Sequence, residues 1–320
     1  MKKILYIILV ALFFIWPGLS SFAQDNKFVP PDKKVIFIVG QDKNTMREYV
    51  TATKTIPAGF MVYTSLQNLE GLLQPAEYGS GTQHAQYFAR AYPTTVLQIG
   101  LYLVGALMYV PTGAYDVQLE QLANWFNAVD RPVYLRIGYE FDLPSNHYSS
   151  SQYLIAYRYI VDFLRRRGVQ NVAYVWHSYA GPVKSPVDWY PGDEYVDWVA
   201  LSYFDTSYES YREAIVQIAR EHKKPLMIAE ATPRGMGIQD GENSWQKWFV
   251  PFFDFIEHND VKAVCYINSD WEKLPMFKNQ GWGNARIQDN LYIKERWLKK
   301  IKASSYLGAS KDLFAALGYK

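Results

Sequence analysis

The sequence predicts a single (β/α)₈ TIM barrel, and three observations support this prediction. Eight short runs rich in apolar and β-branched residues recur along the chain, and helical periodicity separates most of them. Together with the helical segments between them, these runs extend over about 270 residues, which is the size of one (β/α)₈ domain. A doubly wound sheet is the rival architecture, but it usually has a glycine-rich phosphate turn after its first strand, and the stretch around Gly40 lacks that spacing.

Each predicted strand is a short apolar run, and each predicted helix is a longer segment with apolar residues at helical spacing. We expect strands at 34–40, 58–64, 95–104, 132–139, 171–178, 197–204, 224–230 and 261–268. We expect helices near 81–92, 115–129, 150–167, 206–221, 241–258 and 285–302. The segment Ser149-Ser150-Ser151 is expected to cap the start of the third helix. Residues 303–320 are expected to form a terminal helix or to pack loosely.

The first 23 residues have the pattern of a cleavable export signal. Lys2 and Lys3 precede an apolar stretch, which ends in small residues suited to cleavage after Ala23. That stretch is shorter than the roughly 20 residues that span a bilayer, so an uncleaved anchor is the less favoured alternative. The prediction is therefore a secreted or periplasmic protein with one domain at 24–320, because no linker or repeat divides the rest of the chain.

Composition excludes several classes of partner. Removing residues 1–23 takes away two of the 33 basic residues and no acid, which leaves 31 against 31 acidic residues and a formal charge of zero. A neutral chain without a basic run gives no electrostatic case for binding nucleic acid or anionic membrane. The five histidines show no metal-ligand spacing, so we expect neither a metal nor another cofactor. Cys265 is the only cysteine and is expected to be buried, and we expect a monomer.

Two acids stand where predicted strands end. Glu140 closes the fourth run and Glu230 closes the seventh. Because side chains alternate along a strand, each acid should share the inward face with the residues two and four positions before it; these are Gly138 and Arg136 for Glu140, and Ile228 and Leu226 for Glu230. The carboxyl ends of barrel strands hold the active sites of this fold. Hydrolysis of a glycosidic bond needs two such carboxyl groups. In the structural alternative, Glu140 pairs with Arg136 and Glu230 caps a loop.

The motifs around these acids resemble glycoside hydrolase family 26, which is best known for β-mannanases. An arginine, Arg136, lies four residues before Glu140, and Lys-Pro opens the run that ends at Glu230. The aromatic segment 188–198 is followed by Tyr203, and the eighth strand leads to Trp271. The resemblance covers nearly the whole chain after the export signal. Two features depart from the family pattern, namely Tyr139 where a histidine is common, and Phe141-Asp142 after the acid.

The resemblance implies a retaining double displacement with Glu230 as nucleophile and Glu140 as acid/base. That scheme requires carboxyl groups about 5–5.5 Å apart. It also implies that Arg136 and Tyr139 lie at the sugar site, that Tyr203 donates a hydrogen bond to the nucleophile, and that Trp271 stacks against a sugar. His177, at the end of the fifth strand, is expected to meet a sugar hydroxyl or to be a satisfied structural histidine. Trp282 suits an outer sugar subsite.

The predicted activity is endo-acting hydrolysis of a β-linked polysaccharide or oligosaccharide. The family default is β-mannan, but Tyr139 makes β-glucan or xylan possible. A different class also remains open, in which the chain is a catalytically inactive carbohydrate-binding protein on a degenerate barrel. Retention of both glutamates argues against that class, because a binding protein has no need of an inward pair of acids.

Overall fold

The computed structural model describes residues 26–182 and 185–320, and a closed barrel of parallel strands forms its centre. The barrel strands are β1 (Val35–Gly40), β2 (Gly59–Ser65), β3 (Val96–Tyr102), β4 (Val133–Ile137), β5 (Val172–Ser178), β6 (Trp198–Tyr203), β7 (Leu226–Ala231) and β8 (Ala263–Ile267). Each strand pairs with the next, and β8 pairs back to β1. The predicted (β/α)₈ architecture is confirmed, and all eight predicted strands lie within two residues of the observed bounds. The predicted export signal, 1–23, lies outside the described residues.

Helices surround the barrel: α1 (Lys43–Thr53), α2 (Ala85–Ala91), α3 (Asp116–Val129), α4 (Ser150–Arg166), α5 (Glu209–Glu221), α6 (Val250–His258) and α7 (Leu291–Ile301). The pattern-based prediction missed α1. Its N-terminus is capped by Asp42, whose carboxylate accepts the Thr45 N–H at 2.9 Å, and it buries Met46 and Tyr49 on one face. Only a 3₁₀ turn, Pro186–Trp189, is described between β5 and β6.

Short elements complete the connections. A two-stranded hairpin pairs Ala76–Glu77 with Thr82–Gln83, and Tyr306–Leu307 pairs in parallel with the start of β1. The segment before α6 consists of Glu242–Ser244 and a π-helical turn, Trp245–Phe249. Further 3₁₀ turns lie at Leu107–Thr112, Pro144–Asn146, Thr206–Tyr208, Trp271–Lys273 and Ile287–Asp289. Residues 303–320 include one short helix, Leu313–Ala316, in agreement with the first of the two expectations for that segment.

The amino-terminal segment closes the bottom of the barrel. The Phe28 carbonyl accepts a hydrogen bond from the Tyr134 hydroxyl at 2.7 Å, and the Lys27 carbonyl accepts one from the Trp198 indole, also at 2.7 Å. The Phe28 ring meets the Tyr134 ring edge-on at 6.3 Å. Buried polar tips of large aromatic residues need such partners. The bottom is therefore sealed by packing, and the opposite end is left for the site.

The upper part of the barrel interior depends on a glycine. Gly100 in β3 pairs with Tyr63 of β2 and with Arg136 of β4. A Cβ at this position would lie 2.5 Å from the Tyr63 ring and 2.9 Å from the Arg136 guanidinium. Real Cβ atoms essentially never make contacts this short, so the absence of a side chain at residue 100 is what allows these two large groups to sit side by side.

Candidate active site

A β-bulge in β7 turns Glu230 into the barrel. Leu201 of β6 pairs with Ile228, whereas the next residue, Ser202, pairs with Glu230, so β7 has one extra residue at Ala229. The pairing with β8 shows the same shift. A bulge of this kind re-aims the side chains that follow it.

Glu230 faces inward as predicted, but regular alternation of side chains along β7, from which this position was predicted, does not produce it. Ile228 pairs with Leu201 and Val264, whereas Glu230 pairs with Ser202. Paired residues in a parallel sheet face the same side, so Ile228 and Glu230 lie on opposite faces of β7. Strict alternation would therefore have carried Glu230 out of the barrel.

Glu140 reaches the barrel mouth through a tight turn. The strand β4 ends at Ile137, and both Gly138 and Glu140 have left-handed backbone, with φ of 54° and 49°. This conformation costs a non-glycine residue about 1 kcal/mol or more, and such residues cluster at functional sites. The Glu140 carbonyl accepts hydrogen bonds from the Leu143 N–H and the Asn146 amide, both at 2.9 Å, which hold the turn.

A buried ion pair fixes Glu230. The Arg136 Nη1 donates to Glu230 Oε1, and the side chains are 0% and 7% exposed. The Tyr63 and Tyr139 rings cover the guanidinium at 5.2 Å and 5.1 Å. Arg136 thus pairs with Glu230, contrary to the structural alternative, which paired it with Glu140. An adjacent cation favours the charged form of a buried carboxylate.

Glu140 has a different environment. Burial, followed by the negative charge of Glu230, raises the pKa of Glu140 well above its usual value. A hydrogen bond from Ser202 and the charge of Arg136 oppose this rise. The raised pKa favours the protonated form of Glu140 beside the ion-paired Glu230, which is the division of roles that glycosidic hydrolysis uses.

A chain of hydrogen bonds links the two acids. Arg136 Nη1 lies 3.3 Å from His177 Nδ1, His177 Nε2 lies 3.1 Å from Ser202 Oγ, and Ser202 Oγ donates to Glu140 Oε1 at 2.6 Å. His177 is fully buried with both ring nitrogens occupied. The structure thus places it behind the acids as a satisfied histidine, and it does not line the cleft where a sugar would bind.

A cleft of about 680 Å³ opens above the acids. Volumes of roughly 300–1,000 Å³ are typical of clefts that bind drug-sized ligands. Most of its lining is aromatic or polar. The residues around it are Gln41, Tyr63, Thr64, Ser65, Gln67, Asn68, Tyr78, Ser80, Tyr102, Tyr139, Glu140, Leu143, Ser145, Asn146, Tyr179, Phe204, Glu230, Arg234, Trp271, Met276, Phe277 and Trp282.

The predicted residues do not all meet at this cleft. Tyr139 lines it beside the two glutamates, as expected. Trp271 also lines it, but only 2% of its surface is exposed, because it packs against Trp282 at 4.8 Å and donates its indole N–H to Thr232 at 2.9 Å. Trp282, which is half-buried, presents more of its surface.

The expected contact between Tyr203 and Glu230 is absent from the described contacts. Tyr203 follows the inward Ser202 by one position, so it points to the outside of the barrel. Its ring packs against Trp248, Phe252 and Phe255 at 5.4–5.7 Å between centroids. The aromatic residues near Glu230 are instead Tyr63 and Tyr139, which line the same cleft and cover the guanidinium that pairs with it. Burial, followed by the charge of Glu230, raises the pKa of the Tyr63 phenol well above its usual value.

Sequence reasoning missed Tyr63 and Ser202. Tyr63 lies next to the end of a predicted strand, at the alternate position from Met61, so its inward placement could have been read from the pattern. Ser202 gave no comparable signal, because a serine inside an apolar strand usually has no special role. Among the described residues, no group of histidine, cysteine or acidic side chains has the arrangement of a metal site.

A (β/α)₈ barrel with paired acids at the ends of β4 and β7 defines the class of barrel glycoside hydrolases. Comparisons with known proteins agree. Residues 125–274, which include both acids, match the family model for glycosyl hydrolase family 26. Two relatives named β-1,3-xylanase share 35% identity with this chain. The Alcaligenes protein aligns with 94% of this chain over 70% of its own length, and the Vibrio protein with 100% over 75%. The chain belongs to glycosyl hydrolase family 26.

Solved structures show the same fold. A family 26 β-mannanase from Bacteroides ovatus superposes with a TM-score of 0.63 at 14% identity, covering 88% of this chain and 93% of its own. A modular endo-β-1,4-mannanase from Cellulomonas fimi superposes with a TM-score of 0.62 at 16% identity, covering 88% and 74%. At these identities the similarity concerns the barrel alone.

Proposed function

We propose that this glycoside hydrolase is an endo-acting, retaining β-1,3-xylanase in which Glu230 is the nucleophile and Glu140 the acid/base. The observation that carries the proposal is the contrast between the two buried acids. Glu230 is ion-paired with Arg136, whereas burial and the charge of Glu230 raise the pKa of Glu140. One group is thereby prepared to attack and the other to donate a proton.

The two steps follow from this contrast. A Glu230 oxygen forms a bond to the anomeric carbon while the bond to the leaving oxygen breaks, and that oxygen takes the proton of Glu140. Esterification then removes the negative charge of Glu230, which is one of the causes of the raised pKa of Glu140. The ionised Glu140 takes a proton from the water that attacks the anomeric carbon, and Glu230 leaves as a carboxylate.

The substrate is inferred from the relatives. Both proteins with 35% identity over nearly the whole chain are named β-1,3-xylanase, whereas the structural neighbours named as mannanases share only 14–16%. We therefore favour β-1,3-xylan over the family default of β-mannan. The size of the cleft supports binding of several sugar rings, which suits an endo-acting enzyme.

The location and assembly of the protein are also proposals. We propose that residues 1–23 direct export and are removed after Ala23, so that the protein acts on polysaccharide outside the cytoplasm. We also propose that it acts as a monomer. Among the described residues, no helix has the length and apolarity needed to cross a membrane. Amino-terminal sequencing of the exported protein and its mass in solution test these points.

A substrate panel tests the proposed specificity. Purified protein is incubated with β-1,3-xylan, β-1,4-xylan, β-mannan, laminarin and mixed-linkage β-glucan, and reducing ends are measured. We expect release from β-1,3-xylan at least tenfold faster than from the others, with a series of short oligosaccharides as early products. Faster release from β-mannan would reject the xylanase proposal, and a single small product from chain ends would reject endo action.

Three variants test the roles of the acids. Glu230→Gln and Glu140→Gln are compared with Glu213→Gln, an exposed glutamate on α5 whose side chain is 57% exposed. We expect a loss of about 10²-fold or more in the first two, as for removal of an acid/base group, and none in the control. NMR of the first product should show the retained anomer; an inverted anomer would overturn the double displacement. Equal glycan binding by wild type and Glu230→Gln without hydrolysis by either would favour the binding-protein alternative.

A further inference from the structure

The hydrogen-bond chain behind the acids has a fixed direction. Arginine has only donors, so His177 Nδ1 must accept from Arg136 and the ring proton must lie on Nε2. Burial and the adjacent arginine charge hold the pKa of His177 well below its usual value, in agreement with a neutral ring. His177 Nε2 therefore donates to Ser202 Oγ at 3.1 Å. The single hydroxyl proton of Ser202 is then left for Glu140 Oε1 at 2.6 Å.

We propose that Ser202, oriented by His177, is a positioning residue that reserves Glu140 Oε1 as an acceptor and so places the exchangeable proton of Glu140 on Oε2. A carboxylic acid can otherwise carry its proton on either oxygen. The hydroxyl of Ser202 removes that freedom, because Oε1 already accepts a proton from it. This inference rests on the proposed roles of Glu140 and Glu230, and it concerns two residues that do not line the cleft.

The surroundings of Glu140 determine what the experiment must control. Five ionisable groups act on or near it from different elements, namely Glu230 on β7, Arg136 on β4, Tyr139 and Asp142 beside it in the chain, and Tyr179 after β5. Of these, Arg136 and Glu230 belong to the hydrogen-bond chain. Changing Ser202 leaves all five in place and removes one hydrogen bond to the ionised form of Glu140. Loss of such a bond raises the pKa of a carboxyl group.

The first experiment is independent of turnover. Glutamate labelled with ¹³C at the carboxyl carbon is titrated by NMR in wild type and in Ser202→Ala, and Glu140→Gln identifies the resonance. We expect the pKa of Glu140 to rise by about 1 in Ser202→Ala, which is the effect of losing one hydrogen bond to a carboxylate. Ser269→Ala is the matched control, since Ser269 is a fully buried serine whose hydroxyl has no partner among the described residues. An unchanged titration of Glu140 in a folded Ser202→Ala would overturn the inference.

Variants of His177 test the second link. His177→Phe keeps a flat ring but removes the donor to Ser202, whereas His177→Gln keeps an acceptor and a donor at the end of a side chain. We expect His177→Phe to raise the pKa of Glu140 by less than Ser202→Ala does, and His177→Gln to restore much of the wild-type value. Equal values in wild type and His177→Phe would show that Ser202 acts without His177.

Kinetics separate positioning from a general structural effect. The basic limb of the kcat/KM profile follows the acid form of Glu140, so it should move up by about one pH unit in Ser202→Ala. Hydrolysis of xylan, which needs leaving-group protonation, should fall roughly tenfold to hundredfold, whereas cleavage of an activated aryl xylobioside should change little in kcat/KM. Equal losses on both substrates would indicate a structural role. If the wild type cleaves no glycan but the NMR shift occurs, the proposed function fails while the positioning of Glu140 stands.

Discussion

The contrast between Glu140 and Glu230 arises from the different side chains that contact each of them. Both residues are buried, and the exposed fraction of the whole residue is 7% for Glu140 and 5% for Glu230, so burial alone cannot distinguish them. Arg136 contacts Glu230, and the hydroxyl of Ser202 contacts Glu140. A full positive charge stabilises a carboxylate more than a neutral hydroxyl does. Arg136 therefore supports a negative charge on Glu230, whereas burial favours the protonated form of Glu140.

Removing the charge of Glu230 should lower the pKa of Glu140. The negative charge of Glu230 is the second largest cause of that raised pKa, after burial. In Glu230→Gln the carboxyl resonance of Glu140 should titrate at lower pH than in wild type, as measured by ¹³C NMR, while Glu213→Gln leaves it unchanged. A higher or equal value in Glu230→Gln would show that the two acids do not interact.

Breaking the ion pair from the other side should destabilise the fold. Arg136→Met leaves Glu230 buried without a cation, which costs about 3–5 kcal/mol in comparable buried pairs. We expect urea denaturation to show a loss of that order. The double variant Arg136→Met with Glu230→Gln should recover part of it, because no unpaired charge remains. Additive losses in the double variant would contradict a direct interaction.

At the scale of elements, three local irregularities build the site. The β7 bulge turns Glu230 inward, the left-handed turn after β4 delivers Glu140, and Gly100 in β3 leaves room for Arg136. The bulge and the turn depart from ideal strand geometry, whereas Gly100 lies in regularly paired β3 and contributes by having no side chain. The regular barrel thus supplies the frame, and departures from regularity aim the functional groups.

Filling the space at Gly100 should damage the site more than the same change elsewhere. Gly100→Ala pushes a methyl group against Tyr63 and Arg136, whereas Gly59→Ala pushes one against Val96 at 2.5 Å. Overpacking costs typically about 1–3 kcal/mol, so both variants should unfold at lower denaturant concentration. Only Gly100→Ala should also lower kcat per folded molecule. Normal kcat in Gly100→Ala would show that Arg136 is not held by this packing.

The loop acid Asp142 should make stability depend on pH. Burial raises its pKa to about 6, although it accepts hydrogen bonds from Ser178 Oγ at 2.5 Å and the Tyr179 N–H at 2.6 Å. Because the folded pKa lies above the unfolded value of 3.8, its contribution to stability is full below pH 4 and is lost as pH rises through 6.

Asp142→Asn removes that dependence. The free energy of unfolding of wild type relative to the variant should therefore fall by about 2–3 kcal/mol between pH 4 and pH 7, as measured by urea denaturation at each pH. Asp205→Asn, at another loop acid that accepts a hydrogen bond from a backbone N–H, is the control. A relative stability that rises with pH would contradict the burial of an ionisable carboxyl at this position.

The regular elements were predictable, and the irregular ones were not. Apolar periodicity located all eight strands, because burial on both faces makes each one a continuous apolar run. The bulge at Ala229 has no local sequence signal, since it is defined by pairing with two neighbouring strands. Tyr203 was misplaced for a related reason: its orientation depends on which residue of β6 faces inward, and Ser202 settles that only through its contacts with His177 and Glu140.

Stability and chemistry are placed at opposite ends of the whole molecule. The bottom is closed by Phe28 and its contacts with Tyr134 and Tyr319, and the acids lie at the other end of the strands. Barrel enzymes usually separate the two tasks in this way. Changes at the bottom should therefore alter the amount of folded protein and leave the chemistry of each folded molecule unchanged.

Phe28→Ala tests this separation. Truncation of a buried phenylalanine costs about 3–5 kcal/mol, so the variant should unfold at clearly lower temperature or denaturant. Its kcat and its pH profile, measured at a temperature where it is folded, should match wild type. Phe28→Leu, which keeps most of the apolar volume, should lose less stability. A shifted pH profile in either variant would show that the bottom of the barrel communicates with the acids.

The bulge in β7 makes the direction of Glu230 a matter of strand pairing as well as side-chain identity. A strand that kept Ala229 but paired it regularly with Ser202 would carry the glutamate to the outer face, where its carboxylate would meet the helices. A strand that lacked Ala229 would instead pair the glutamate with Ser202 by ordinary alternation and keep it inside the barrel. A one-residue gap beside the acid in an alignment would therefore mark the loss of the bulge and leave the direction of the carboxylate unchanged.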